Sequence, residues 1–259
     1  MSFGRISVIA TNVFREVVRD RILYIIGLYA LLLAVAIWFL PQLAATTEDK
    51  IFLDLGLAAM NLLGVIVAIF VGTGLINKEI EKRTVLVLIA KPISRSEFIA
   101  GKHLGLSAVL GVLLAAMTGI YLAFLQLGNI PYPLGSIVLA ALFLFLQLSL
   151  MTAVAIAFGV FTSSVLATLL SFGIYLMGNF TQDLVILGRL SESVNIQRMT
   201  QALYLFLPDL SRLDLKNLAV YGADALPNPV TLMANAGYGL LYTGLLLAIA
   251  ILIFSRRQF

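Results

Sequence analysis

Residues 103–182 read HLGLSAVLGVLLAAMTGIYLAFLQLGNIPYPLGSIVLAALFLFLQLSLMTAVAIAFGVFTSSVLATLLSFGIYLMGNFTQ, 80 positions without one Asp, Glu, Lys or Arg. A single helix crosses a hydrocarbon core of roughly 30 Å in about 20 residues, so this stretch holds several. Two breaks divide it: Gly128-Asn129-Ile130-Pro131-Tyr132-Pro133, with two prolines and a turn-forming Gly-Asn, and the small polar Thr162-Ser163-Ser164. Three membrane spans result, at about 104–127, 134–161 and 164–187.

The rest of the chain has the same character. Of its 259 residues, 61% are apolar and 12% charged, and the mean hydropathy is +1.04. These values lie far outside those of soluble domains. Upstream, about 22–40 and 55–76 read as spans, the first ending at Pro41. Downstream, about 236–254 reads as a sixth. Residues 1–21 repeat Ile6, Ile9, Val13 and Val17 at helical spacing, with Arg5, Asn12, Arg15 and Arg19 elsewhere on the wheel; this is the pattern of an interfacial helix. Glu16 and Asp20 precede the first apolar run and no Ala-x-Ala site follows it, so the first span reads as retained rather than as a signal peptide. The predicted fold is an all-α integral membrane protein forming one transmembrane domain over 1–259.

Charge is concentrated between the second and third spans. Residues 77–102 hold six of the seventeen Lys and Arg. The connection 188–235 is the one long polar segment, and within it Ile196, Met199, Leu203 and Phe206 predict a short amphipathic helix ending at Pro208. With the N-terminus inside, the inner segments carry twelve Lys and Arg and the outer ones five. The positive-inside rule therefore selects a multi-pass protein of the cell membrane, with both termini and residues 77–102 in the cytoplasm and 188–235 outside. The net charge of +4 is spread along span ends rather than gathered with aromatics, so no nucleic-acid partner is expected.

Inside the charged island, Lys78 to Ala90 has the pattern of a helix, Pro92 interrupts it, and Ser94-Arg95-Ser96-Glu97 has the spacing of a capping box that starts the next helix. The island reads equally as a docking surface for a soluble protein or as a solvated loop with ordinary positive bias. A resemblance separates the two. Glu79-x-Glu81-x-x-Thr84, a short apolar run, then Lys91-Pro92-Ile93-Ser94-Arg95-x-Glu97-Phe98 and Gly101-Lys102 are similar to the signature of ABC-2 type transporter permeases. The amphipathic start, the six spans, the polar connection before the last span and the C-terminal Arg-Arg-x-Phe ending extend the likeness over nearly the whole chain. One departure is Arg83, where many members have Gly.

The resemblance implies an export permease working with a separate ABC ATPase subunit and with a second copy or a paralogous permease subunit in the bilayer. The island would be a coupling helix, with Lys78, Glu79, Glu81, Lys82, Arg83 and Thr84 facing the ATPase. Lys91, Pro92, Ser94, Arg95 and Glu97 would shape the turn into the third span. The Thr162-Ser163-Ser164 connection would make a second cytoplasmic contact. ATP and Mg would sit on the partner, and none would bind this chain.

Several chemistries are poorly served by these residues. Gly101-Lys102-His103 ends like a P-loop, yet Ser96 stands where the first glycine is needed and His103 where the magnesium-binding hydroxyl is needed. The absence of cysteine removes thiolate metal sites and thiol nucleophiles. His103, the only histidine, reads as an interfacial residue rather than a metal ligand or a partner of Ser107. No catalytic, metal or cofactor residue is assigned, and the chain is not expected to be an enzyme by itself. Ser107, Gly111, Ala115 and Gly119 form a small-residue stripe suited to helix packing. Asn61 and Gln147 lie near mid-span as candidate pathway residues. A non-transporting scaffold that docks a soluble protein is the alternative. A secondary transporter ranks third, because no ionisable group is evident near mid-membrane.

Overall fold

The computed structural model describes residues 3–43, 48–81, 94–191 and 193–256, and every regular element among them is helical. Helix α1 spans Phe3–Val17 and passes through a π-helical turn, Val18–Ile22, into α2, Leu23–Leu43. Then come α3, Glu48–Glu81; α4, Arg95–Leu127; α5, Leu134–Phe161; α6, Ser164–Asn179; and α7, Thr181–Leu190. The connection that follows folds as α8, Val194–Phe206, a 3-10 turn at Leu210–Leu213 and α9, Lys216–Ala219. After a further 3-10 turn at Ala223–Ala225, α10 runs from Pro229 to Arg256.

Among the described residues, α2, α3, α4, α5 and α10 are each long and apolar enough to cross a membrane. The α6–α7 pair makes a sixth candidate, but the two helices meet at 64°. The span expected over 164–187 thus consists of two helices with a bend at Phe180. Next to the bend, Gly178 lies against the chain returning from α8, where a Cβ would come within 2.8 Å of the Pro208 carbonyl oxygen. Helices also overrun the predicted spans. Helix α2 continues through Pro41, and α3 takes in the acidic stretch Glu48 to Asp54, placing Glu48 and Asp49 in its first turn and Lys78 in its last, where each complements the helix dipole.

Helices α3, α4 and α5 form the centre. Along α3, glycines admit neighbouring side chains: a Cβ at Gly56 would lie 2.2 Å from the Tyr121 ring, one at Gly64 would lie 2.5 Å from Leu148, and one at Gly72 would lie 2.9 Å from Ala155. Close backbone approach of this kind drives association in lipid, where apolar side chains gain nothing from leaving the bilayer. Tyr121 reaches across to donate to the Leu53 carbonyl at 2.8 Å, and Tyr29 of α2 donates to Gly56 at 3.2 Å.

The connection after α8 turns inward. Leu210, Leu213 and Leu215 are 0%, 0% and 3% exposed and belong to the main core. A polar knot anchors this segment. The buried Asp209 carboxylate lies 3.2 Å from the Thr181 hydroxyl, 2.5 Å from that of Ser211 and 3.0 Å from Arg212 Nε. The Asp209 backbone N–H donates to the Tyr238 hydroxyl on α10 at 2.8 Å, and Arg212 donates to Tyr204 on α8 at 2.8 Å. The hydrogen bond to Asp209, then that to Tyr204, raises the Arg212 guanidinium above its already high ordinary pKa. The amphipathic helix expected in this region is α8, whose C-cap Leu207 immediately precedes Pro208.

Candidate functional site

The ends of four helices meet where the charged island leaves and rejoins the bundle. Ser94 is the N-cap of α4: its hydroxyl accepts from the Glu97 N–H at 3.2 Å, and the Glu97 carboxylate accepts from the Ser94 N–H at 3.0 Å. The capping box that the spacing predicts is therefore present. Glu97 is 3% exposed, and its second neighbour is Arg5 of α1 at 3.9 Å. One turn further on, Lys102 forms an ion pair with Glu79 of α3 and lies 5.5 Å above the Phe98 ring. Arg95 reaches across to α10, donating from Nη1 to the carbonyl of Phe254 at 2.8 Å and also to that of Ser255. Arginine at a helix C-terminus satisfies carbonyls that have no partner within the helix and complements the negative dipole end.

Apolar contacts reinforce this joint. Ile76, Phe98, Ile99, Ile156, Val160, Ala250 and Phe254 form a second buried cluster, in which the Phe98 and Phe254 rings stack at 5.7 Å. Helix α1 is seated on α4 through two glycines four residues apart. A Cβ at Gly101 would lie 2.8 Å from Ile9, and one at Gly105 would lie 2.7 Å from the Ala10 carbonyl oxygen. The first of these is the glycine of the failed P-loop. Helix α1 rests on protein along this face as well as presenting Arg15 and Glu16 outward.

The predicted island residues divide as follows. Lys78 is exposed on the last turn of α3, and Glu79 beside it is held by Lys102. Glu81 closes α3. Lys82, Arg83, Thr84, Lys91 and Pro92 lie outside the described residues, as does most of the expected 78–90 helix. Ser94, Arg95 and Glu97 are together in the joint. Thr162, Ser163 and Ser164 form the α5–α6 turn, with the Thr162 hydroxyl donating to the Phe158 carbonyl at 2.8 Å. This turn lies at the same end of the bundle, because Gly159 abuts Asn77 of α3.

Other candidates fall elsewhere. The stripe divides along its length: Ser107 is buried with its hydroxyl 3.3 Å from that of Ser149, while Ala115 and Gly119 are exposed beside an apolar groove of about 520 Å³ that also touches Gly111, Leu142 and Phe145. His103 is 5% exposed, with Nε2 3.1 Å from the Ser149 carbonyl oxygen between α4 and α5. No group of three or more His, Cys, Asp or Glu side chains suited to a metal occurs among the described residues. Asn61 and Gln147 do come together, at 3% and 1% exposure, around a small cavity that Asp214 and Lys216 of the inward connection also line. Charged residues of the polar connection are thus folded back beside Gln147 of α5.

Arg5, Asp214 and Lys216 carry these contacts unforeseen. Arg5 was legible only as the polar face of α1. Nothing in a loop's composition announces that it will turn inward. For the Arg95 tie, Arg95→Ala is expected to cost roughly 1–2 kcal/mol, since one partner of a charge-assisted bond is lost at a partly exposed site. Hydrogen exchange should then show faster exchange confined to the last two turns of α10.

A helical bundle with five or six such spans is a polytopic membrane protein. Among known families, residues 7–259 match the one described as ABC-2 family transporter protein. The chain belongs to that family and is a membrane transport subunit. No curated protein matches it.

Proposed function

We propose that this chain is the permease subunit of an ATP-driven exporter and that the joint around Ser94, Arg95, Glu97 and Lys102 receives force from a separate ATPase subunit through residues 77–94. Family membership supports the transport role. The observation carrying the coupling role is that both flanks of the island are fastened: α3 to α4 by Glu79–Lys102, α4 to α1 by Glu97–Arg5, and α4 to α10 by Arg95. A solvated loop has no need of such fixed ends. A lever does, because a push on the island must tilt the spans rather than be absorbed at its roots. The ATPase would approach from the cytoplasm, also touching the Thr162 to Ser164 turn. Two permease copies, or one and a paralogue, would form the path for substrate. ATP and Mg would be held by the ATPase.

The test must spare the fastenings. Reversing Glu79 would break the ion pair with Lys102, so the informative variant is Glu81→Lys with Arg83→Glu. Membrane insertion and thermal stability should be unchanged, while the ATPase that copurifies in detergent with the wild-type chain is lost. Unchanged association would remove the island as the docking element. If no P-loop protein copurifies with the wild type, the scaffold reading takes its place.

A further inference from the structure

We propose that residues 207–220 form a displaceable roof over a polar pocket at the level of Gln147, and that lifting the roof admits water and hydrogen-bond acceptors of a transported molecule. The roof is built from the connection and not from a span. Leu210, Leu213 and Leu215 are its buried underside, and Asp214 and Lys216, which pair with each other, are its polar lining. Beneath it lie Asn61 of α3 and Gln147 of α5, with the Tyr175 hydroxyl of α6 3.4 Å from Asn61 Oδ1.

Three observations give this arrangement a use beyond packing. Gln147 Nε2 is buried with no hydrogen-bond partner among the described residues, and an unmade bond there is costly unless something else accepts it. The cavity it lines has about 10 Å³ open to a water-sized sphere, room for a single water and nothing larger while the roof is down. Gln147 is the fourteenth residue of the 28-residue α5, so the pocket lies about 20 Å from either helix end. A charged pair carried to that depth by a short 3-10 turn and a four-residue helix rests on few backbone bonds. What holds the roof down is its apolar underside and the Asp209 knot rather than backbone pairing, so loosening those side chains should lift it. Once the roof is lifted, Asp214 and Lys216 leave with it, and the pocket presents the Gln147 amide as a donor beside Asn61.

The chain contains no cysteine, so a single Gln147→Cys variant in the full transporter can be probed directly with a membrane-impermeant cationic methanethiosulfonate in sealed vesicles. In the resting state, labelling should be slow from either side. Adding Asp214→Asn with Lys216→Met, which removes the pair without leaving an orphan charge, should speed labelling from the 188–235 side on the order of tenfold. Asn61→Cys should follow the same pattern, and Leu213→Ser serves as the loosening variant if the double change does not assemble. Fast labelling at rest, or no acceleration on loosening in either background, would overturn the roof. The link to transport rests on the exporter reading and has its own arm: ATP turnover by the associated ATPase should also speed labelling. Acceleration by loosening without acceleration by ATP would leave the roof standing and count against ATP-driven export.

Discussion

Asp209→Ala is expected to lower the thermal midpoint of the purified protein by roughly 5–10 °C, corresponding to about 2–3 kcal/mol. The carboxylate is the common acceptor of Thr181, Ser211 and Arg212. Its removal takes the acceptor from the Ser211 hydroxyl and strips a buried contact from Thr181, which keeps only the Gly178 carbonyl at 2.9 Å. Arg212 moderates the loss, because its side chain is 38% exposed and can turn to water. Asp209→Asn separates shape from charge. The amide keeps one oxygen for the hydroxyls but turns an N–H₂ toward Arg212 Nε, a donor facing a donor, and about half of the destabilisation should remain. Proteolysis localises the effect: the knot joins the α6–α7 bend, α8 and α10, so cleavage sites between 191 and 207 should become accessible well below the global midpoint. An Asp209→Ala protein as stable as the wild type would show that the knot does not hold the connection in place.

The second large effect is expected at Gly105. A Cβ there would sit 2.7 Å from the Ala10 carbonyl oxygen and 3.0 Å from its Cα. Backbone atoms have no rotamer to yield with, so even Gly105→Ala must push α1 outward, and Gly105→Val must push it further. Overpacking of a tight contact costs typically 1–3 kcal/mol. The functional loss should exceed the loss in stability, because moving α1 also draws Arg5 away from Glu97 at the start of α4. The two are separated by measuring the thermal midpoint beside ATPase association. Gly119→Val on the same helix is the control: a Cβ there meets nothing within 4 Å, so neither quantity should change appreciably.

Much of the bundle was legible because its signals are long and one-dimensional. Eighty residues without a charge, interrupted only by Gly-Asn-Ile-Pro-Tyr-Pro and Thr-Ser-Ser, have few readings in a bilayer. The Ser94–Glu97 cap is four residues of local geometry and was equally readable. What escaped is three-dimensional. Gly101 and Gly105 look no different from Gly111 and Gly119, yet the first two seat a helix and Gly119 faces open space. Which stripe is used depends on where α1 returns. The sequence around His103 shows its distance from the helix start, but not its burial, which depends on Ser149, 46 residues later. Asp214 and Lys216 were counted as loop charges. Leu210, Leu213 and Leu215, spaced irregularly for any single helix, pull them inward by burying apolar surface in the core.

The depth of the connection also bears on how the molecule is made. Helix α5, with Gln147 at its centre, leaves the ribosome before the roof does. Leu213 follows Gln147 by 66 positions, several seconds at about 5–20 residues per second. During that interval the Gln147 amide sits midway along α5 with its pocket not yet covered by the connection. An early partner therefore has to come from helices already synthesised, and Asn61 of α3 is the polar side chain available at that level. The bundle closes only when the segment before the last helix arrives, so assembly is completed from its C-terminal third. A nascent chain stalled before residue 207 would hold its spans in the membrane with the centre still hydrated.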